Sequence, residues 1–188
     1  SRGLGDVYKR QILEQLGAEC IELRQDRDLS EPYDALVLPG GESTVQGKLL
    51  RELDMYEPLR AKIAAGLPVL ATCAGLILLA EHIAGDDTVH FGTLPVTVKR
   101  NPYGRQLGSF YTEDEMKEIG KIPMTFIRAP YIAGVYGTAE ILAVVDGKVV
   151  AARQGSQLAT AFHPELNDDT SVHEYFVEMI KGSKTQVE

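Results

Sequence analysis

Cys73 lies in the run Val69-Leu70-Ala71-Thr72-Cys73-Ala74-Gly75, where an apolar stretch gives way to small residues and then to the helical pattern Leu76-Ile77-Leu78-Leu79-Ala80. A nucleophile lifted on a sharp strand-to-helix turn needs small neighbours, because its strained backbone must approach the helix beyond it. Such a turn also aims the first helical amides at the sulfur, where their positive end stabilises a thiolate or an oxyanion. Far downstream, Phe162-His163-Pro164-Glu165 offers an imidazole and, two residues on, a carboxylate to orient it, with Pro164 fixing φ between them. Cys73, His163 and Glu165 together suit covalent acyl transfer through a thioester. His163 would take the thiol proton and return it to the leaving amine.

Each of these residues also has a plainer reading. Cys73 alone could equally be a small buried core residue, since free cysteines are among the most buried types. Its turn and the His-Pro-Glu partner tip the balance towards catalysis. Cys20 sits in an ordinary apolar run and reads as core. His82, His90 and His173 lack a comparable setting, and no metal-ligand cluster is expected. Gly40-Gly41-Glu42-Ser43 is at minimum a tight turn. Two glycines before a helix start also expose backbone N–H groups, and an oxyanion hole could combine Gly41 with the amide of Ala74. Arg100 and Arg128 each lie just past a strand and are weak signals singly.

The elements that must position these groups are read from periodicity and turn chemistry. The pattern predicts a short helix over 12–16 stopped by Gly17, then strands over 20–23 and 35–38. A helix from about Ser43 carries Val45, Leu49 and Leu53 along one side, and another spans 56–65 before Gly66 and Pro68. A strand over 67–72 leads into a helix reaching about Ala84. Strands come next over 94–98, 124–127, 132–136, 141–145, 149–152 and 158–162, with Asp146-Gly147 as a hairpin turn, and a helix starting near Asp169 closes the chain. Val172, Tyr175, Phe176, Met179 and Ile180 recur along that helix at helical spacing.

The expected fold is therefore α/β: a three-layer, open, mostly parallel sheet with helices on both faces and an antiparallel extension. In such sheets ligands bind beyond the carboxyl ends of the strands, where all three candidate motifs fall. Residues 1–11 are polar and glycine-broken where an apolar first strand is wanted. They read as a non-native or replaced segment, and 12–188 as a single domain.

The chain has 188 residues, enough for one domain with a real core, and a hydrophobic share of 44% typical of globular proteins. A net charge of −8 disfavours non-specific nucleic-acid or anionic-membrane binding. No apolar run approaches the ~20 residues needed to span a bilayer. Two cysteines make no disulfide framework, so a reducing cytoplasm is the expected setting.

These motifs resemble the triad glutamine amidotransferases, and within them the glutaminase subunits of pyridoxal 5′-phosphate synthase. The likeness covers about residues 12–182. It rests on Leu38-Pro39-Gly40-Gly41-Glu42-Ser43-Thr44, Thr72-Cys73-Ala74-Gly75-Leu76, Arg100-Asn101-Pro102-Tyr103-Gly104-Arg105-Gln106, Phe126-Ile127-Arg128-Ala129-Pro130, Val150-Ala151-Ala152-Arg153-Gln154-Gly155 and Phe162-His163-Pro164-Glu165-Leu166. The Cys and His-Pro-Glu motifs mark the wider class, and the others select the subfamily.

The resemblance implies a flavodoxin-like class I glutaminase fold and hydrolysis of L-glutamine to glutamate and ammonia. Cys73 would be the nucleophile, His163 the base and Glu165 its orienter. Gly41, Glu42, Ser43, Arg100, Ile127 and Arg128 would line the glutamine site. No cofactor is implied. The ammonia would pass to a (β/α)₈-barrel synthase subunit in a hetero-oligomer that makes pyridoxal phosphate, and the partner would switch the glutaminase on. Two departures stand out: Ala71 replaces the family's usual glycine, and the family's first apolar strand and Leu-Gln-Gly loop have no counterpart here. A triad glutaminase serving another synthase, or a glutamine-binding subunit left inactive by the altered head, remain alternatives. A cysteine peptidase or redox sensor would use Cys73 but leave Gly40-Gly41-Glu42-Ser43 and Arg128 without a role.

Overall fold

The computed structural model describes residues 4–23, 29, 33–100 and 109–187, with the side chains of 4–9 and 184–187 left aside. Residues 101–106, part of one of the family-like runs, lie outside the described residues.

One end of the eight-stranded sheet forms where the chain is continuously apolar. Strands β1 (Leu36–Leu38) and β2 (Val69–Thr72) are short apolar runs paired in parallel, and all four residues of β2 are buried. Strands covered on both faces read this way because neither face meets water. Along the sheet the spatial order is β1, β2, β10 (Gln157–Thr160), β9 (Lys148–Gln154), β7 (Tyr131–Val135), β4 (Leu94–Lys99) and β3 (Ala80–Ile83), with β8 (Glu140–Val145) paired to β9. The β1–β2–β10 group and the β3–β4 pair are parallel, and the remaining pairs are antiparallel. This is the α/β class expected, but the sheet is mixed, not mostly parallel: three of its strand pairs are parallel and four antiparallel, because the hairpin-linked second half joins the same sheet. The Asp146-Gly147 turn joins β8 to β9, both residues having positive φ (50° and 76°) as a tight hairpin of this twist demands.

Helix α2 (Ser43–Glu52) comes after β1, and α3 (Tyr56–Ala64) after α2. The buried residues of α2 are Ser43 and Gly47, whereas Val45, Leu49 and Leu53 are exposed; the apolar side read from the sequence therefore faces outward. Helix α4 (Ala74–Leu79) is wholly buried and packs on β1, β2 and β10. It stops five residues sooner than expected, because residues 80–83 leave the helix to pair with β4 as β3. The closing helix α5 (Ser171–Val187) begins where Asp169 Oδ1 accepts the Ser171 N–H at 2.8 Å, and it buries Val172 and Phe176.

A separate two-stranded ribbon pairs β5 (Phe110–Met116) with β6 (Gly120–Phe126), and β5 is a strand that the sequence pattern does not announce. Glu113, Asp114 and Glu115 make it look like a loop, and only its register against β6 pairs it.

At the head, two expectations are corrected. The first helix, α1, spans Leu4–Gln15, well before residue 12. A segment with no ladder to join satisfies its amides locally, and the Arg10–Glu14 ion pair (2.9 Å, one turn apart) supports that helix. Residues 20–23 form no strand: β1 pairs with β2 alone among the described residues, and 20–23 join neither it nor any other strand. No helix among the described residues is long and apolar enough to cross a membrane.

Candidate active site

β2 and β10 run parallel and in register, Thr72 opposite Thr160, so the loops leaving their carboxyl ends emerge at the same edge of the sheet. Cys73 comes directly after β2, and His163 lies just past β10. The Cys73 backbone sits at φ 52°, ψ −105°, a strained conformation for a residue with a side chain. Its N–H is donated to Thr160 O at 2.8 Å, which ties the turn to the end of β10.

Two glycines make the approach of the loops possible. A Cβ on Gly75 would lie 2.2 Å from Leu38 O, so a side chain there is incompatible with α4 resting on the end of β1. A Cβ on Gly40 would lie 2.6 Å from His163 Cε1, so the imidazole lies against the Gly40-Gly41 loop. Gln46 secures that loop by donating to Pro39 O and Gly40 O, each at 3.3 Å. Glu42 caps α2 by accepting the Thr44 N–H at 3.1 Å.

His163 Nδ1 and Glu165 Oε1 are 3.0 Å apart, and the Glu165 side chain is 2% exposed. The three-residue 3₁₀ turn Pro164–Leu166 brings the carboxylate under the ring. The His163 N–H is donated to Thr125 O at 2.8 Å, which fixes its backbone to β6. Burial by itself would lower the His163 pKa. Hydrogen bonding to Cys73 and Glu165, together with their negative charge, outweighs burial and raises it to about 9. Cys73, remote in sequence, and the bonded His163–Glu165 pair therefore stand at the same edge of the sheet.

Of the other residues singled out, Ser43 is buried and its Oγ accepts from Arg100 Nη2 at 2.9 Å, joining the end of β4 to the start of α2. Ile127 places its carbonyl oxygen 4.0 Å from Cys73 Sγ. Arg128 has a φ of 47° and donates its N–H to Ser109 Oγ at 3.3 Å, so the chain turns sharply beside the sulfur. Gly41 has a φ of 140°, a backbone open to glycine. Sequence reasoning missed Gln46 and the Thr125 and Thr160 carbonyls. A glutamine one turn into a helix carries no signal of its own, and backbone acceptors carry none at all.

The chain matches the SNO glutamine amidotransferase family model over residues 5–182. The chain belongs to that family. It is 61% identical to the pyridoxal 5′-phosphate synthase subunit PdxT of Desulfitobacterium hafniense (strain DSM 10664 / DCB-2), over 95% of this chain and 90% of that one. Its identity to the subunit of the same name from Streptococcus pneumoniae (strain CGSP14) is 55%, over 92% and 91%. A solved structure described as the crystal structure of glutamine amidotransferase superposes with a TM-score of 0.86 at 38% identity, over 93% of each chain. In this family member Cys73, on its strained turn, and the His163–Glu165 pair share one edge of the sheet.

Proposed function

We propose that this chain is the glutaminase subunit of a pyridoxal 5′-phosphate synthase, hydrolysing L-glutamine to L-glutamate and ammonia. The observation that carries the reading is that Cys73 and the bonded His163–Glu165 pair leave the ends of β2 and β10 at one edge of the sheet, within a chain so similar to subunits of that name.

Cys73 Sγ attacks the side-chain carboxamide carbon of glutamine, and His163 takes the thiol proton. The negative charge that forms on the amide oxygen is met by the N–H groups of Gly41 and Ala74. As the C–N bond breaks, His163 gives its proton to the departing nitrogen, which leaves as ammonia. A water molecule then adds to the thioester carbon and loses its proton to His163. Collapse of that adduct breaks the C–S bond, returning the proton to sulfur and releasing glutamate. Glu165 holds one imidazole tautomer and stabilises the imidazolium in both halves. Arg100 and Arg128 supply cationic partners for the glutamine carboxylate. Gly41, Glu42, Ser43 and the Ile127 carbonyl complete the pocket.

The ammonia then passes to the synthase partner, a (β/α)₈-barrel subunit, without reaching solvent. One structural feature favours a second reading, a subunit that binds glutamine but does not turn it over. The outer edge of β1 is unpaired among the described residues, directly below the Gly40-Gly41 loop that would complete the oxyanion hole. The deciding experiment is glutamate release from L-glutamine with and without a pyridoxal 5′-phosphate synthase barrel subunit. Turnover that appears with the partner supports the glutaminase reading; glutamine binding without turnover in either case supports the second.

A further inference from the structure

His90 stands outside the Cys–His–Glu group, yet it is pinned from several sides. Its carbonyl accepts the Tyr56 hydroxyl at 2.6 Å, and Tyr56 in turn stacks on Phe91 with ring centroids 5.6 Å apart. The Phe91 N–H is donated to Leu78 O at 2.8 Å, and the Phe91 carbonyl accepts from Arg60 Nε at 3.1 Å. The His90-Phe91 backbone is therefore fixed to α3 and to α4, the helix that Cys73 opens. Its imidazole is pressed on α2: a Cβ on Gly47 would fall 2.3 Å from Nδ1 and 2.4 Å from Cε1. The ring occupies the notch that the missing Gly47 side chain leaves.

Gly47 lies one turn beyond Ser43 on the same buried face of α2, and Ser43 holds Arg100. His90 is 7% exposed, and its Nε2, like Arg100 Nε, has no hydrogen-bond partner among the described residues. Among the described residues, then, Nε2 does not anchor the ring. Its shape is what α2 rests on.

We propose that His90 is a positioning residue for the glutamine site, a spacer that sets the distance between α2, which Glu42 caps and whose Ser43 holds Arg100, and α4, which Cys73 opens. This deepens the glutaminase reading and rests on it. A spacer lodged in a notch makes a reciprocal prediction: adding volume on one side is undone by removing it on the other. Gly47→Ala should drive α2 away from α4, and His90→Ala should let it settle inward. The double variant should restore the spacing.

Steady-state glutaminase kinetics with the synthase subunit present, beside thermal unfolding of each variant, provide the test. Gly47→Ala is expected to raise KM for glutamine about tenfold or more, since misplacement of site groups by an ångström costs up to about a hundredfold. Adding His90→Ala to it should bring KM back to within about threefold of the parent, a coupling that independent sites do not show. An unchanged KM in Gly47→Ala would overturn the proposal. So would a double variant no better than Gly47→Ala alone, or variants that lower Tm while leaving KM unmoved. A parent chain that neither turns over nor binds glutamine would count against the glutaminase reading instead. In that event the backbone amide resonance of Ser43, displaced in Gly47→Ala and returned in the double variant, would still support the spacer; a resonance that does not move would reject it.

Discussion

Two histidines, His163 at the ends of the central strands and His90 beneath α2, are both largely buried and are driven in opposite directions. Burial lowers the pKa of each. At His163 the neighbouring Cys73 and the Glu165 carboxylate reverse that effect, and the pKa rises to about 9. At His90 the Arg100 and Arg51 guanidiniums add to burial, Asp86 opposes them weakly, and the pKa falls. The same side chain is thus kept ready to carry a proton in one region and kept neutral in the other. Residue type and burial do not decide which role a histidine takes; the sign of the neighbouring charge does.

The difference between the two histidines depends most on the negative charge beside His163. Cys73→Ala should reduce glutamine hydrolysis by about 10⁴-fold or more while leaving the fold intact, as loss of a nucleophile does in triads. It should also lower the His163 pKa from about 9, which NMR titration of the imidazole would read. Comparable turnover in the variant would remove the thioester mechanism. Glu165→Gln comes next. A neutral amide offers no charge to the imidazolium and allows the wrong tautomer, so hydrolysis should fall by about 10²-fold or more, and the His163 pKa should move towards 6.5. An unchanged pH–rate profile would show that Glu165 does not orient the ring.

Stability against pH separates the two regions, because they should fail at opposite ends. His163 has a folded pKa above its unfolded value near 6.5, so its contribution is complete below pH 6.5 and is lost as pH rises through about 9. That contribution is roughly 3 kcal/mol in size. His90 has a lowered folded pKa, so its contribution is present above pH 6.5 and is lost as pH falls through the lowered value. Urea unfolding across pH should show both declines, the alkaline one reduced in Cys73→Ala and the acid one in His90→Gln. A variant that leaves its own limb untouched would contradict the assignment.

The smallest expected effect tests the packing that brings the loops together. Gly75→Ala places a Cβ 2.2 Å from Leu38 O, against backbone that cannot rotate away. It should cost about 1–3 kcal/mol, as overpacking does, and reduce activity by shifting α4 from β1. A denaturation midpoint equal to the parent's would show that β1 yields without cost.

The motif-bearing half of the site was legible in the sequence because its signals are local. Val69-Leu70-Ala71-Thr72 before Cys73 announces a buried strand, and Gly40-Gly41 before Ser43 announces a turn and a helix start. The parts that misled are those where a second element decides. Residues 80–83 continue a helical pattern but are drawn off to pair with β4. Residues 20–23 look like a strand yet join no ladder among the described residues. Val45, Leu49 and Leu53 trace an apolar stripe, but α2 turns that stripe outward because Ser43 and Gly47 are what fit against His90 and Arg100.

The α/β class, the turn that bears Cys73 and the His163-Pro164-Glu165 motif were already set in the amino-acid sequence, since each depends on residue types within a few positions. Tertiary packing alone settled which histidine has its pKa raised and which lowered, which face of α2 is buried, and which glycines let the loops approach. Those properties rest on distances between residues remote in the chain, and charge and volume act through space, not along the backbone.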